Sequence, residues 1–506
     1  MTRSHPSTSR PPVEDHDTAD LRQFGYAQQL RRSLGSFSSF AVAFSLISVF
    51  TGVSANFGHG LRQVGGSLVW SWLVVLAGQM LVALILAELS TRIPLSGYGY
   101  QWTSRLVNPH FGFFVGWLLT LQFLTGFPGV CATLAAQIGH GLGGAWESPS
   151  TLTALTLAVI ALTAMLHLFG IRLVSHVNNT GVWTELLGVF GLSLVLIVFA
   201  LSRNESAAVL LDSSNAVTGG PASLSAWALS LLVGAWCLTG FEAAADLAEE
   251  TRQPRRIVPR AILLSLLSSG VAGFLLLTGV MLAIRDLPAA QQSGDPLMTT
   301  IEQALGTGST RTVRLVIGVS IFACGLASMA ATSRLLFALA RDRMLPGSRW
   351  LASVAEGHRT PRNAILFIWG VSSAVVLGLP SLDIITQISA VAGYLGYAGI
   401  VVAALCSVPP PATDGFRLGR ARLWIGGAAL VWVLGVVAAL TIPATPLAGI
   451  RTQHLPALST TVGVVLGVVI YLVVVRPRLR RGEAGPPMNL PQIPHLPGES
   501  THHSHD

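Results

Sequence analysis

The sequence predicts an all-α membrane protein of about twelve transmembrane helices, and three observations carry that prediction. Only 11% of the 506 residues are charged, 51% are hydrophobic, and the mean hydropathy is +0.61. A water-soluble domain carries about 25% charged residues to cover its surface, so most of this chain has no water-facing surface. No long stretch of soluble composition interrupts it, which makes one membrane-embedded domain the simplest reading of its length. Finally, about twelve segments supply the roughly 20 apolar residues needed to cross a hydrocarbon core.

In order, those segments lie near 38–62, 67–90, 111–139, 152–171, 180–202, 223–247, 259–284, 312–340, 363–380, 383–407, 421–442 and 457–475. Arginines separate them and set their orientation, because cytoplasmic loops collect basic residues. All 31 basic residues are Arg, none is Lys, and the net charge is +8. With the N-terminus inside, Arg22, Arg31, Arg32, Arg92, Arg105, Arg172, Arg252, Arg255, Arg256 and Arg260 are cytoplasmic. So are Arg341, Arg343, Arg359, Arg362, Arg417, Arg420, Arg422 and the cluster from Arg476 to Arg481. The other side receives Arg62, Arg203, Arg285, Arg311, Arg314 and Arg451. An even number of spans puts both Arg-rich termini on one side, so count and charge agree. Arginines that punctuate apolar runs point to membrane lipid as the surroundings and away from nucleic acid.

Residues 1–35 are expected to form a largely disordered cytoplasmic N-terminus, 36–476 the transmembrane domain and 477–506 a disordered cytoplasmic tail. No apolar signal-peptide core precedes the first span. Cys131, Cys237, Cys324 and Cys406 stand singly in apolar segments and read as small buried residues, not as a disulfide or metal set. His502, His503 and His505 end the tail without other ligands, so neither a metal nor a cofactor is expected. His-Glu-x-x-His, Gly-x-Ser-x-Gly and Walker patterns are absent, which argues against an enzyme.

Two spans differ from the rest. The first contains Ser48 to Gly58, rich in small and polar residues, and the sixth contains Cys237 to Ala243. Gly weakens a helix by about 1 kcal/mol per residue, and Ser, Thr and Asn offer the backbone competing hydrogen bonds. Broken helices survive in lipid only where the freed groups face protein or a watery cavity. Each span opens a five-span set, and interruptions at matching positions of two halves point to a binding site between them. Close packing through small residues is the alternative reading.

Four stretches carry a family resemblance. They are Phe24-Gly25-Tyr26 with Leu30-Arg31-Arg32; Ala87-Glu88 through Pro94, Ser96-Gly97-Tyr98, Tyr100 and Trp102; Thr239-Gly240-Phe241-Glu242 into Ala248-Glu249-Glu250-Thr251 and Pro254-Arg255-Arg256; and Thr332-Ser333-Arg334 with Ala340-Arg341-Asp342-Arg343-Met344-Leu345-Pro346. Tyr98 replaces a Gly usual at its position. In this order the chain resembles the amino acid–polyamine–organocation (APC) permeases and looks closest to their amino acid/choline transporter branch. The resemblance implies a five-plus-five inverted repeat (LeuT-like), with repeat one over 36–202, repeat two over 223–407, and two further helices within 421–476. It also implies broken helices 1 and 6 around a central site. The expected activity is import of amino acids or small amines (amino acid, polyamine or choline-like) across the cell (inner) membrane, by alternating access and coupled to protons or sodium. A sensor or passive channel on the same scaffold is the alternative, although channels bring repeated pore helices or charged rings.

The resemblance also assigns residues. An unwound stretch Thr51 to Phe57, including Thr51, Gly52, Val53, Ser54 and Asn56, would hold a substrate carboxylate on backbone amides and half-helix ends; the common Gly-Ser-Gly form is missing here. From span six, Thr239 and Gly240 join it, and Phe241 would be a lid able to meet a cationic amine. Glu242 is a carboxylate inside a span, at a cost of at least ~2.5 kcal/mol, and so a functional candidate. Binding an amine, relaying a proton and pairing with a backbone donor are all open to it. Asp246, one turn on, shares its environment, and like charges so placed disfavour simultaneous ionisation. Gln122, Phe123 and Thr125 either flank the pocket or bond helix to helix. Some APC relatives carry a span-five Lys that mimics sodium; here Glu185 or Glu242 could titrate instead, or Ser328 and Thr332 with span-one carbonyls could hold sodium. Glu249 and Glu250 read as solvated or gate-type salt bridges, and Arg341-Asp342-Arg343 and Glu88 with Arg92 as an inside gate or a fold-orienting network. Tyr394 and Tyr397 are gate aromatics or interfacial anchors, and His140, His167 and His176 are structural partners.

Overall fold

The computed structural model describes residues 21–29, 32–169, 171–203, 206–216, 219–354, 361–379, 381–407, 415–441 and 455–487, without the side chains of 169–176. Residues 1–20 and 488–506, with His502, His503 and His505, lie outside the described residues, as do Arg31, Arg359, Arg451 and the side chains of Arg172 and His176. Apart from a two-residue hairpin, β1 (Ser214–Asn215) with β2 (Gly220–Pro221), regular structure among the described residues is helical.

The first apolar run forms α1 (Ser36–Ile47) and α2 (Val49–Val64), folds back through Gly65–Ser67, and continues as α3 (Leu68–Arg92). Gly65 has φ +56, a left-handed value that a side chain disfavours, and this permits the reversal. Then follow α4 (Tyr98–Leu106), α5 (Pro109–Leu142), α6 (Pro149–Phe169) and α7 (Ile171–Ser202). The sixth segment is divided into α8 (Leu224–Ser230), α9 (Leu232–Cys237) and the single turn α10 (Ala243–Asp246). The chain ends through α11 (Pro254–Ala283), α12 (Leu287–Gln292), α13 (Pro296–Arg341, bent at Gly306), α14 (Ser348–Leu351), α15 (Arg362–Gly378), α16 (Leu382–Cys406), α17 (Ala421–Thr441), α18 (Leu455–Ile470) and α19 (Arg476–Arg480).

Nine helical runs among the described residues are long and apolar enough to cross a membrane, one of them the folded-back Ser36–Arg92; Leu224–Cys237 and Arg362–Gly378 are shorter apolar helices. The dominant packing pairs are α3 with α11, α5 with α16 and α13, and α7 with α11 and α13. Trp72 anchors the first pair, its Nε1 donating to the Gly270 carbonyl at 2.8 Å while Gly273 leaves room for the ring. α17 and α18 lie at the periphery and expose apolar side chains such as Trp424, Val431 and Val462, as lipid-facing helices do.

Two expectations are corrected. The first span is not unwound over Thr51 to Phe57: those residues are helical, and the break is Ser48 alone, at φ +28. The Ser48 hydroxyl accepts from the Thr51 amide and hydroxyl and so restarts the helix within one turn. The flanks are also more ordered than their composition suggested. Leu21, Phe24 and Tyr26 are buried, and Arg105 bonds both the Phe24 and the Pro487 carbonyls. Both described ends of the chain therefore meet at the same end of the bundle, where most of the arginines lie. The β-hairpin covers the opposite end, with the Asn215 amide bonded to the Gln63 carbonyl.

Candidate functional site

The two broken spans touch at their breaks. A side chain on Gly52 would collide with Cβ and Sγ of Cys237, so the approach requires glycine. The Cys237 thiol lies 3.5 Å from the Ile47 carbonyl and 3.6 Å from that of Ser48. In span six the backbone is non-helical from Leu238 to Glu242; Gly240 has φ +102, and a Cβ there would stand 2.8 Å from Leu46. Gln79 satisfies the freed Leu238 carbonyl at 3.0 Å. Glu185, buried on α7, accepts a long hydrogen bond from the Phe50 amide at 3.4 Å. A carboxylate thus sits at the partially positive start of α2.

Between the breaks lies a cavity of about 40 Å³, lined among others by Thr51, Gly52, Gln122, Thr239, Gly240 and Ser328. Binding pockets for small molecules span about 300–1,000 Å³, so the site is contracted here and has to widen before it takes a cargo. Trp236, Phe123, Cys324 and Ser389 complete the wall. Trp236 and Ser389 carry no local motif, and only packing brings them here.

The remaining sequence candidates lie outside this wall. Val53 faces the apolar core, and Asn56 accepts from the Thr386 hydroxyl at 3.0 Å. Ser54 faces a separate vestibule of about 190 Å³ at the hairpin-covered end, together with His59, Arg62, Asp295 and Asp383. Thr332 donates to the Ser328 carbonyl of its own helix at 2.6 Å. Phe241 is fully buried and stacks on Tyr397 at 5.8 Å. Glu242 lies behind the wall, accepting from Gln122 Nε2 at 3.1 Å and from the Gly240 amide at 2.9 Å.

Beyond Phe241, toward the arginine-rich end, the polar groups are poorly satisfied. The hydroxyls of Tyr98 and Tyr394 are buried without a hydrogen-bond partner, and the Asp246 carboxylate has only the Gly97 backbone. Each such orphan costs about 1–3 kcal/mol, so the cluster is a feature that stability alone does not explain.

The arginine-rich end itself is closed by a network. The Tyr26 hydroxyl donates to Asp342 at 2.9 Å, joined there by the Tyr100 hydroxyl at 2.8 Å and Gln101 Nε2 at 2.9 Å. Burial, then the neighbouring Asp342, pushes the Tyr26 hydroxyl above its usual range, which keeps it a donor. Burial also raises the Asp342 carboxyl, opposed by Arg341 and the three donors. The Arg341 guanidinium stacks 3.9 Å from the Tyr26 ring centroid and bonds both Glu249 oxygens at 3.1 Å, while Arg334 pairs with Glu250 at 2.9 Å. Glu88 pairs with Arg92 at 2.7 Å along α3.

Known proteins resemble this chain in sequence. The family described as amino acid permease matches residues 34–469. The chain is 27% identical over 469 residues to amino-acid permease BAT1 of Arabidopsis thaliana, covering 85% of this chain and 89% of that one. It is 26% identical over 471 residues to thiamine transporter thi9 of Schizosaccharomyces pombe, covering 83% and 78%. An uncharacterized amino-acid permease of the same yeast is 26% identical over 466 residues, covering 86% and 83%. With its bundle of apolar helices around a central cavity, the chain belongs to the amino acid permease family of the APC superfamily, as a multi-pass membrane transporter of amino acids or related small organic molecules and not an enzyme.

Proposed function

We propose that this protein imports an amino acid or a small amine by alternating access, driven by protons, with the cavity between the breaks as the carrying site. The observation that carries the proposal is Glu185 at the break of the first span. Free amides at a helix start are the natural place for a cargo carboxylate, and here an internal carboxylate already uses one. A proton on Glu185 weakens that bond and frees the amides for cargo, so proton and cargo binding are linked at one point. Sodium has no comparable observation behind it: Ser328 lines the cavity, and Thr332 lies one turn further along the same helix. Thr51, Gly52, Thr239 and Gly240 would contact the cargo through backbone and hydroxyl, with Gln122 relaying the charge of Glu242.

Twelve crossings in two inverted sets of five plus two fit the packing. Span 3 pairs with span 10 (α5, α16), and its symmetry mate, span 5 with span 8 (α7, α13), recurs. The arginine-rich end, holding both chain ends, would face the cytoplasm of the inner membrane.

Proteoliposomes given an inward proton gradient should accumulate at least one compound from a panel of amino acids, polyamines, choline and thiamine, and a protonophore should abolish the accumulation. Glu185→Gln should lose at least tenfold of gradient-driven accumulation while retaining exchange. Failure of every compound under both proton and sodium gradients would overturn transport. Accumulation that requires sodium and survives the protonophore would overturn the proton assignment.

A further inference from the structure

Behind Phe241 the molecule holds a second polar cluster that the central site does not use. Asp246 closes the single turn α10, fully buried, and has no side-chain hydrogen-bond partner. Its favourable neighbours are the Gly97 backbone and the Arg334 guanidinium, and the latter is already bonded to Glu250. Glu242 lies close enough to act on it electrostatically, so two acidic side chains share one buried space. Three fully buried tyrosines surround the pair. Tyr98 interacts electrostatically with Glu242, Asp246 and Tyr397, and Tyr394 meets Tyr397 edge to face at 5.9 Å and 66°. The Tyr98 and Tyr394 hydroxyls have no partner.

These side chains come from four different elements: α4, the span-six break, α10 and α16. Native proteins pair their buried polar groups, so the unpaired Tyr98 and Tyr394 hydroxyls beside two acidic side chains mark a place suited to a polar partner. Two carboxylates accept hydrogen bonds, and aromatic rings attract a cation to their faces. Such a combination matches an ammonium group, primary or quaternary, and offers nothing to a carboxylate.

We infer that Asp246, Glu242, Tyr98, Tyr394 and Tyr397 form a second, inner station for the cationic nitrogen of the cargo, reached when Phe241 leaves its stack on Tyr397. This deepens the transport reading and rests on it for the direction of travel: cargo passes from the central cavity to this station before release at the arginine-rich end. It also narrows the cargo to molecules bearing a cationic nitrogen. Asp246 is the residue that distinguishes the station, since Glu242 is bonded to Gln122 and Gly240 at the rear of the central wall.

The full-length purified protein can be tested by thermal shift with tetramethylammonium, using tert-butyl alcohol as the uncharged control of similar shape. Tetramethylammonium should raise the Tm of the wild type in a saturable manner, and the alcohol should not. Asp246→Asn should lose the shift, Asp246→Glu should recover it in part, and Tyr394→Phe should retain it because the ring remains. Ser328→Ala, on the central wall, should leave it unchanged. Asn has nearly the same shape as Asp, so Asp246→Asn keeps the packing and should fold, and its Tm without ligand checks this directly. An equal shift in Asp246→Asn, or no shift in the wild type, would overturn the station. If the shift behaves as expected but no compound accumulates in proteoliposomes, it is the transport reading that fails.

Discussion

Gly52 decides how closely the two broken spans approach. Its missing side chain is replaced by Cys237, and both the Cβ and the Sγ of that cysteine stand where a Gly52 Cβ would go. Gly52→Ala should therefore cost about 1–3 kcal/mol, the usual range for overpacking a close contact, measured as thermal or denaturant unfolding in detergent. Cys237→Ala in the same chain should not rescue it, because the Cβ remains; Cys237→Gly should. A rescue by Cys237→Ala would mean that the sulfur alone sets the spacing. Cys237 therefore acts here as a spacer between two backbones rather than as a thiol.

Among the elements, α2 is the informative one. Ser48 leaves the helix and restarts it with its own side chain, so Ser48→Ala should cost about 0.5–2 kcal/mol and Ser48→Gly only a few tenths. Hydrogen exchange should show rapid amides around 48–50 and 238–242, with slow exchange across 52–57. Rapid exchange throughout 51–57 would restore the longer unwound stretch that the sequence suggests. The location of both interruptions was legible because Gly, Ser, Thr and Asn cluster there. The extent of the first was not, because the same residue types also serve close packing: Gly52 fits Cys237, Gly60 fits Leu68 and Val233, and Asn56 bonds Thr386. Ser389 and Trp236 escaped notice for a related reason, since each reaches the cavity only through long-range packing of its helix. The polar N-terminal segment reads as unstructured by composition, yet Phe24 and Tyr26 are anchored by Arg105 and Arg341 from distant helices.

At the level of the whole molecule, the arginine-rich end is latched by Tyr26 on Asp342. A hydrogen bond to a charged group contributes about 1.5–3 kcal/mol, so Tyr26→Phe should raise the population open at that end roughly tenfold or more. Hydrogen exchange of residues 21–29 would report it, and unchanged exchange would place the latch elsewhere. The two halves of the molecule also differ in depth. A vestibule of about 190 Å³ reaches Ser54, one turn from Thr51, whereas the other half is filled by the buried Phe241, Tyr397, Tyr98 and Tyr100. Water carries an electric field poorly and packed protein sustains it, so most of a transmembrane voltage falls across the filled half. Each elementary charge driven through it gains or loses about 2.3 kcal/mol per 100 mV. Uptake of a singly charged amine should accordingly steepen with voltage, and a zwitterion travelling with one proton should follow the same curve, both readable as current on a supported bilayer. In electrical terms the packed tyrosine layer is the capacitor gap of this carrier, and the vestibule only its access lead.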